Sequence, residues 1–219
     1  MSSLVVFVTD VIFSLYEFTK TIGMPSYALA IIILTIILKL ILYPLSVKQM
    51  KSVKSMQLIQ PKMQELQKKY KNDKEKLNMA VMDLYKKYNV NPMAGCLPVL
   101  IQIPILFALF RALSQFTFEP LEHATFFWIA NLSNPDPYYI LPVLVGLATF
   151  LQSKLTTPSG AGGQQAMMLY FMPLFIGWVS MKFPAGLCLY WVVFNALGVI
   201  QQAIINRQPL AGKGEVSGK

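Results

Sequence analysis

Lys39 is the residue whose type and position most demand a chemical reason. It stands in the apolar run ALAIIILTIILKLILYPL, roughly seven residues before the run turns polar. A straight helix would carry it about 10 Å into hydrocarbon. A charge at that depth costs at least about 2.5–3.5 kcal/mol. The other long apolar runs contain no Asp or Glu, so no carboxylate is at hand to pair with it. Either the long side chain lifts its ammonium to the headgroups, or the ammonium faces a water-filled cavity. The second is expected, because intramembrane charges usually face a cavity or a partner. Such a group can attract acidic residues, or serve as the anion or proton site of a transporter or channel. Thr35 lies one turn before it, and Gln102, Gln152 and Asn195 fall in the other runs, mostly toward the same side. Each alone is as readily an interhelical hydrogen bond. Together with Lys39 they outline a wet groove closed at one end. Pro98 and Pro104 in CLPVLIQIPILF each remove a backbone hydrogen bond, which a helix beside a cavity tolerates.

Catalysis has no such foothold. His123 is the only histidine, in a connecting loop, where a surface role is expected. No Ser/His/Asp set, metal cluster or phosphate loop can be assembled. Cys96 and Cys188 both lie in apolar segments and read as packing residues.

The elements that must position these groups are long apolar helices. The 219 residues are 55% hydrophobic and 13% charged, against about 25% charged in soluble domains. A membrane span needs about 20 mostly apolar residues. Five segments qualify, at about 26–47, 95–115, 138–155, 166–181 and 186–205. The fold expected is therefore all-α and integral to the membrane. Residues 1–22 read as an amphipathic helix at the interface. Its apolar face is Leu4, Val8, Val11, Leu15, Phe18 and Ile22, and Asp10, Ser14, Glu17 and Thr21 take another. Ile31 and Val199 are expected to face lipid. Residues 208–219 read as a disordered tail.

The polar stretch 48–91 carries eleven lysines and four acids. The loops on the opposite side hold Lys20, Arg111 and Lys182 against five acids. The positive-inside bias then puts the stretch in the cytoplasm, the N-terminus outside and the C-terminus inside. Met56, Ile59, Met63, Leu66 and Tyr70 recur at three and four residues. Leu77, Val81, Leu84 and Tyr88 do so after the break 71–74. The stretch is expected to be a helical hairpin, since each helix alone is marginal in water. Its lysines, among them Lys48, Lys51, Lys54, Lys62, Lys68, Lys69, Lys86 and Lys87, suit a solvated face, anionic lipid headgroups or ribosomal RNA.

Five segments in order resemble the YidC-type membrane insertases, which include the mitochondrial oxidase-assembly and chloroplast Albino relatives. They are LKLILYPLSVKQMKS, QPKMQELQKKY, YNVNPMAGCLPVLIQIPILFALF, DPYYILPVLVG and FPAGLCLYWVVFNALGVIQQ. The resemblance covers about residues 24–207. It implies a five-helix core with a cytoplasmic hairpin, in a bacterial plasma membrane. It implies no enzyme, cofactor or metal. The implied work is inserting and folding the hydrophobic segments of nascent membrane proteins, alone or with the Sec translocon. Ribosome, signal-recognition-particle receptor and anionic lipids are further implied partners, and DNA is not. Lys39 stands where the family usually has arginine, and Thr35 and Trp191 match its substrate contacts. The implied groove is thus Lys39, Thr35, Gln102, Gln152, Trp191 and Asn195, with the lysine-rich hairpin catching the substrate first. The chain departs from many members in its lysine, in the absence of a large external domain before the first span, and in a short basic tail. A transporter with Lys39 as ion site needs polar groups along the whole path. A partner-binding scaffold needs no buried charge.

Overall fold

The structure, a computed structural model, describes residues 3–88, 90, 97–157 and 163–207. Cys96, the end of the hairpin stretch, most of the 158–165 loop and the 208–219 tail lie outside the described residues. All regular structure described is helical: α1 (Ser3–Thr21), α2 (Tyr27–Ile41), α3 (Tyr43–Lys69), α4 (Lys74–Lys87), α5 (Leu97–Gln115), α6 (Ile140–Thr156), α7 (Gly163–Ser180) and α8 (Ala185–Arg207). A short 3-10 turn, Leu121–Ala124, sits between α5 and α6.

The first apolar run does not stay straight. Ser26 caps α2 by accepting from the Leu29 N–H, and α2 ends at Ile41. α3 leaves at 65° to it. Pro44 explains the break: it has no N–H to continue the bonding of α2, and it sits in the first turn of α3, where none is needed. Lys39 therefore sits two residues from a bend, not midway down a straight inner half as the run suggested. Among the described residues, α8 is the one helix long and apolar enough to cross a membrane alone. α2 with α3 is a second if the bent pair counts as one, and α6 and Leu169–Ser180 of α7 are shorter apolar helices.

The main core joins α1, α2, α5 and α8 with the loop before α6. Tyr16 and Tyr27 stack at 3.9 Å between ring centres, and the Tyr27 hydroxyl donates to Glu119 O. Loop backbone closes this end of α8: Ala185 N donates to Asn134 O and Gly186 N to Leu132 O. A side chain at Gly186 would meet Ile31 at 3.1 Å and Leu132 O at 3.4 Å, so this end of the bundle is dry and close-packed. Ile31 is fully buried here, contrary to its expected lipid-facing place, and Val199 is half-buried. The buried stripe of α1 is Val5, Ile12, Tyr16 and Thr19. Leu4, Phe18 and Ile22 are exposed instead, because α1 packs on α2 and α5 by the side that carries Val5, Ile12 and Tyr16.

α6 pairs with both α7 and α8. Gly146 and Gly177 face each other at the α6–α7 crossing, and a Cβ on Gly177 would stand 3.4 Å from the Gly146 Cα. The outer faces of this pair are apolar and exposed, including Val143, Leu147, Tyr170, Phe171, Leu174 and Trp178. Contiguous exposed apolar surface of this kind belongs in lipid.

The hairpin forms as its periodicity predicts. α3 and α4 enclose a second cluster of Ile59, Met63, Leu84 and Val90, flanked by Met56, Leu66, Val81, Tyr85 and Tyr88. Asp73 caps α4 by accepting from the Lys76 N–H, a bond that holds its carboxyl below the usual range. Lys62 bonds the Tyr88 hydroxyl across the pair.

Candidate functional site: a buried lysine at the bend

Lys39 is 7% exposed. Its ammonium does not lift away from the helices. It lies over the Phe194 ring, 3.7 Å from the centroid, a cation–π contact worth about 0.5–2 kcal/mol. Among the described residues it makes no ion pair. Gly198, one turn beyond Phe194, supplies the space: a Cβ there would stand 3.2 Å from Lys39 Nζ and 2.8 Å from Gln152 Oε1. The ammonium and the Gln152 carbonyl oxygen thus converge on one notch in α8. That oxygen is buried with no hydrogen-bond partner in the protein. The notch predicts its own test. Gly198→Ala forces Gln152 or Lys39 to move, since real Cβ contacts do not fall below about 3 Å. The expected result is a fall in the activity proposed below with the chain still folded. Gln152→Ala added to Gly198→Ala restores part of it by opening room, and unchanged activity in the single variant would remove the notch from the mechanism.

The remaining expected groove residues are distributed. Gln102 Nε2 donates to the Tyr190 hydroxyl at 2.7 Å, joining α5 to α8. Asn195 Nδ2 donates to Thr149 Oγ1 at 3.3 Å, joining α8 to α6. Thr35 is fully buried and donates to Ile31 O of its own helix. Trp191 is half-buried against the main core. So Lys39 and Gln152 come together, and Gln102 and Asn195 each pair with a neighbouring helix. Thr35 is closed off in this arrangement. Gln49, Gln201 and Gln202 also carry buried side-chain atoms without a protein partner, all in α3 and the later part of α8. Gln201 and Gln202 stand three and four residues after Gly198, a helical spacing that could have found them, whereas nothing local in the sequence marks Gln49.

Two loop residues exceed their sequence expectation. His123 Nδ1 lies 2.7 Å from the Tyr16 hydroxyl, so it ties the loop to α1 and is not simply a surface residue. Asp136 is buried and accepts from Trp128 Nε1, Tyr138 N and Leu141 N. It anchors the start of α6, where an anion also favours the helix dipole. Cys188 is buried, with its Sγ 3.5 Å from Ser180 O, a packing residue as expected. Among the described residues no group of three His, Cys, Asp or Glu could hold a metal.

A helical bundle with apolar outer faces, one close-packed end and, among the described residues, a buried lysine is that of a helical membrane protein. The chain belongs to the 60Kd inner membrane protein family, whose model matches residues 17–211. It is 51% identical over 183 residues to "Membrane protein insertase YidC" of Geotalea daltonii, covering 83% of this chain and 34% of that protein. It is 47% identical over 191 residues to the protein of the same name from Geobacter metallireducens, covering 87% and 35%. A solved structure described as an active YidC insertase with its first transmembrane domain resolved is similar with a TM-score of 0.73 and 27% identity. That likeness covers 94% of this chain and 46% of the other. The chain spans about a third of the length of the curated relatives it matches.

Proposed function

We propose that this chain is a non-enzymatic insertase of a bacterial plasma membrane that moves hydrophobic segments of nascent proteins into the bilayer. The observation that carries the reading is the unpaired ammonium of Lys39, held at the α2 bend beside an unsatisfied Gln152 oxygen. The five spans are α2 with the start of α3, then α5, α6, α7 and α8, with α1 at the outer interface and the α3–α4 hairpin in the cytoplasm. The dry end is the outer one. A substrate's hydrophilic flank enters from the cytoplasm, where water and polar side chains shorten the apolar barrier. Lys39 attracts acidic residues in that flank. The substrate's apolar helix then slides past α2 and α8 into lipid, driven by burial worth about 0.8 kcal/mol per CH₂. The hairpin lysines meet the substrate first and rest against anionic lipid. The Sec translocon, the ribosome and the signal-recognition-particle receptor are partners on this reading. Gln102 and Asn195 act chiefly by pairing helices, as their bonds to Tyr190 and Thr149 support.

The test is complementation in cells depleted of their own insertase, scored by membrane insertion of a short-tailed single-span protein. Failure to restore insertion, with the chain present in the membrane, refutes the proposal. Orientation has a separate check. Cysteine placed at Asn72 is expected to be shielded from an impermeant thiol reagent in intact cells, and cysteine at Asn134 to react. The reverse pattern overturns the direction of the groove.

A further inference from the structure

Where α3 crosses the C-terminal ends of α6 and α8, a cavity of about 370 Å³ opens between them. Four carboxamides line it, Gln57, Gln60, Gln64 and Asn206, together with Thr157 and Lys154. Its walls are fixed by two contacts. Lys54 donates to Ile205 O and Asn206 O at the end of α8, and Gln57 Nε2 donates to Leu155 O near the end of α6. The hairpin is thereby fastened to the bundle where the cavity forms. Asn206 in the cavity lining lies on the same face of α8 as the Lys39 notch. Asn195, Gly198, Gln202 and Asn206 follow one another at three and four residues, which is one face of a helix. Asn206 lies eight residues beyond Gly198, about 12 Å along the axis. Between them, Gln202 is fully buried; its Nε2 donates to Asn206 Oδ1 at 2.8 Å, and its Oε1 has no partner in the protein. Gln49 Nε2, Gln152 Oε1 and Gln201 Oε1 are in the same state.

We propose that this amide-lined cavity is a binding site for the extended main chain of the substrate's hydrophilic flank. The inference rests on the insertase reading. A carboxamide offers one acceptor and two N–H donors, the same complement a peptide backbone requires. It binds main chain whatever the side chains are, which suits flanks of unrelated sequence. An anionic headgroup fits less well. The lining holds one cation, Lys154, and two helix C-termini converge there, which disfavours an anion. Lys39 discriminates flanks by charge; the carboxamides do not.

That difference is the test. The full-length chain carrying Gln64→Leu with Asn206→Leu is compared with Lys39→Met on substrates whose flanks are acidic, neutral or basic but equal in length. Loss of two neutral hydrogen-bonding groups is expected to lower insertion about fivefold, equally for all three flanks, whereas Lys39→Met acts on the acidic one. A photo-crosslinker at Thr157 is expected to capture stalled nascent chains in the flank, with the capture reduced by Gln64→Leu alone. An effect confined to acidic flanks, or crosslinks to phospholipid in place of nascent chain, overturns the proposal while leaving the insertase reading intact. Absence of insertion by the parent chain sinks both and is read from the complementation assay. Protein level and solubilised monodispersity of the double variant are measured in parallel, and the crosslink from Thr157 decides the question if that variant does not fold.

Discussion

Lys39→Met is expected to lower insertion of substrates with acidic flanks about tenfold and to leave neutral flanks nearly unaffected. A carboxylate passing about 6 Å from the ammonium at an effective dielectric of about 20 gains roughly 3 kcal/mol, and hydration of the groove reduces that to about a factor of ten. Lys39→Arg keeps the charge and is expected to retain function, although its wider planar head must displace Gln152 from the notch at Gly198. Lys39→Glu is expected to be the worst substitution. It repels acidic flanks and sets a carboxylate beside the Gln152 oxygen and the negative face of Phe194. The measurement is insertion efficiency across flanks differing only in acid count, with protein levels followed in parallel. If the lysine served only as a tolerated membrane charge, Lys39→Met would insert every flank as well as the parent and would raise stability by removing a costly group.

Removal of residues 56–88, with the ends rejoined by a short Gly/Ser linker, is expected to reduce insertion close to the level of depleted cells while the bundle stays in the membrane. The reason is that the hairpin's buried residues pack on each other and not on the main core. The deletion keeps Lys54 and its bonds to α8 and loses the Gln57 contact to α6. A second variant separates charge from shape: Lys68, Lys69, Lys86 and Lys87 are all exposed, so changing them to Gln leaves the hairpin folded. Capture by charge predicts weaker crosslinking to nascent chains in this variant, with unchanged protease resistance. A stable, fully active deletion would reduce the hairpin to a solvated appendage.

The hairpin was legible in the main because its stripes are local, although Tyr70 and Leu77 fall outside its cluster and Tyr85 and Val90 join it. Met56, Ile59 and Met63 must share a face at helical spacing, and the break at 71–74 must fall where the apolar repeat stops. The structure ends α3 at Lys69 and starts α4 at Lys74. The later apolar segments were legible for the same reason, and their described ends agree within a few residues with α5, α6, α7 and α8. The bend at Leu42 was signalled by Pro44 and was nonetheless missed, since a proline near a span's end permits either a smooth exit or a sharp turn. Which one occurs depends on what α3 meets, and it meets α5, α6 and α8.

The sequence by itself determined an all-helical membrane chain, a basic hairpin and one lysine inside an apolar run, because length, periodicity and charge act within a single segment. Only the tertiary structure decided where that lysine's ammonium goes. Phe194, Gly198 and Gln152 come from α8 and α6, more than a hundred residues away along the chain. Gln102 likewise meets Tyr190 from another helix, whereas Asp136 finds Trp128 and the start of α6 close by in the chain. A polar side chain in a helix announces that it needs a partner. The identity of that partner is set by how helices cross, and the crossings are set by small residues such as Gly146, Gly177 and Gly198, whose missing side chains carry no hydropathy signal.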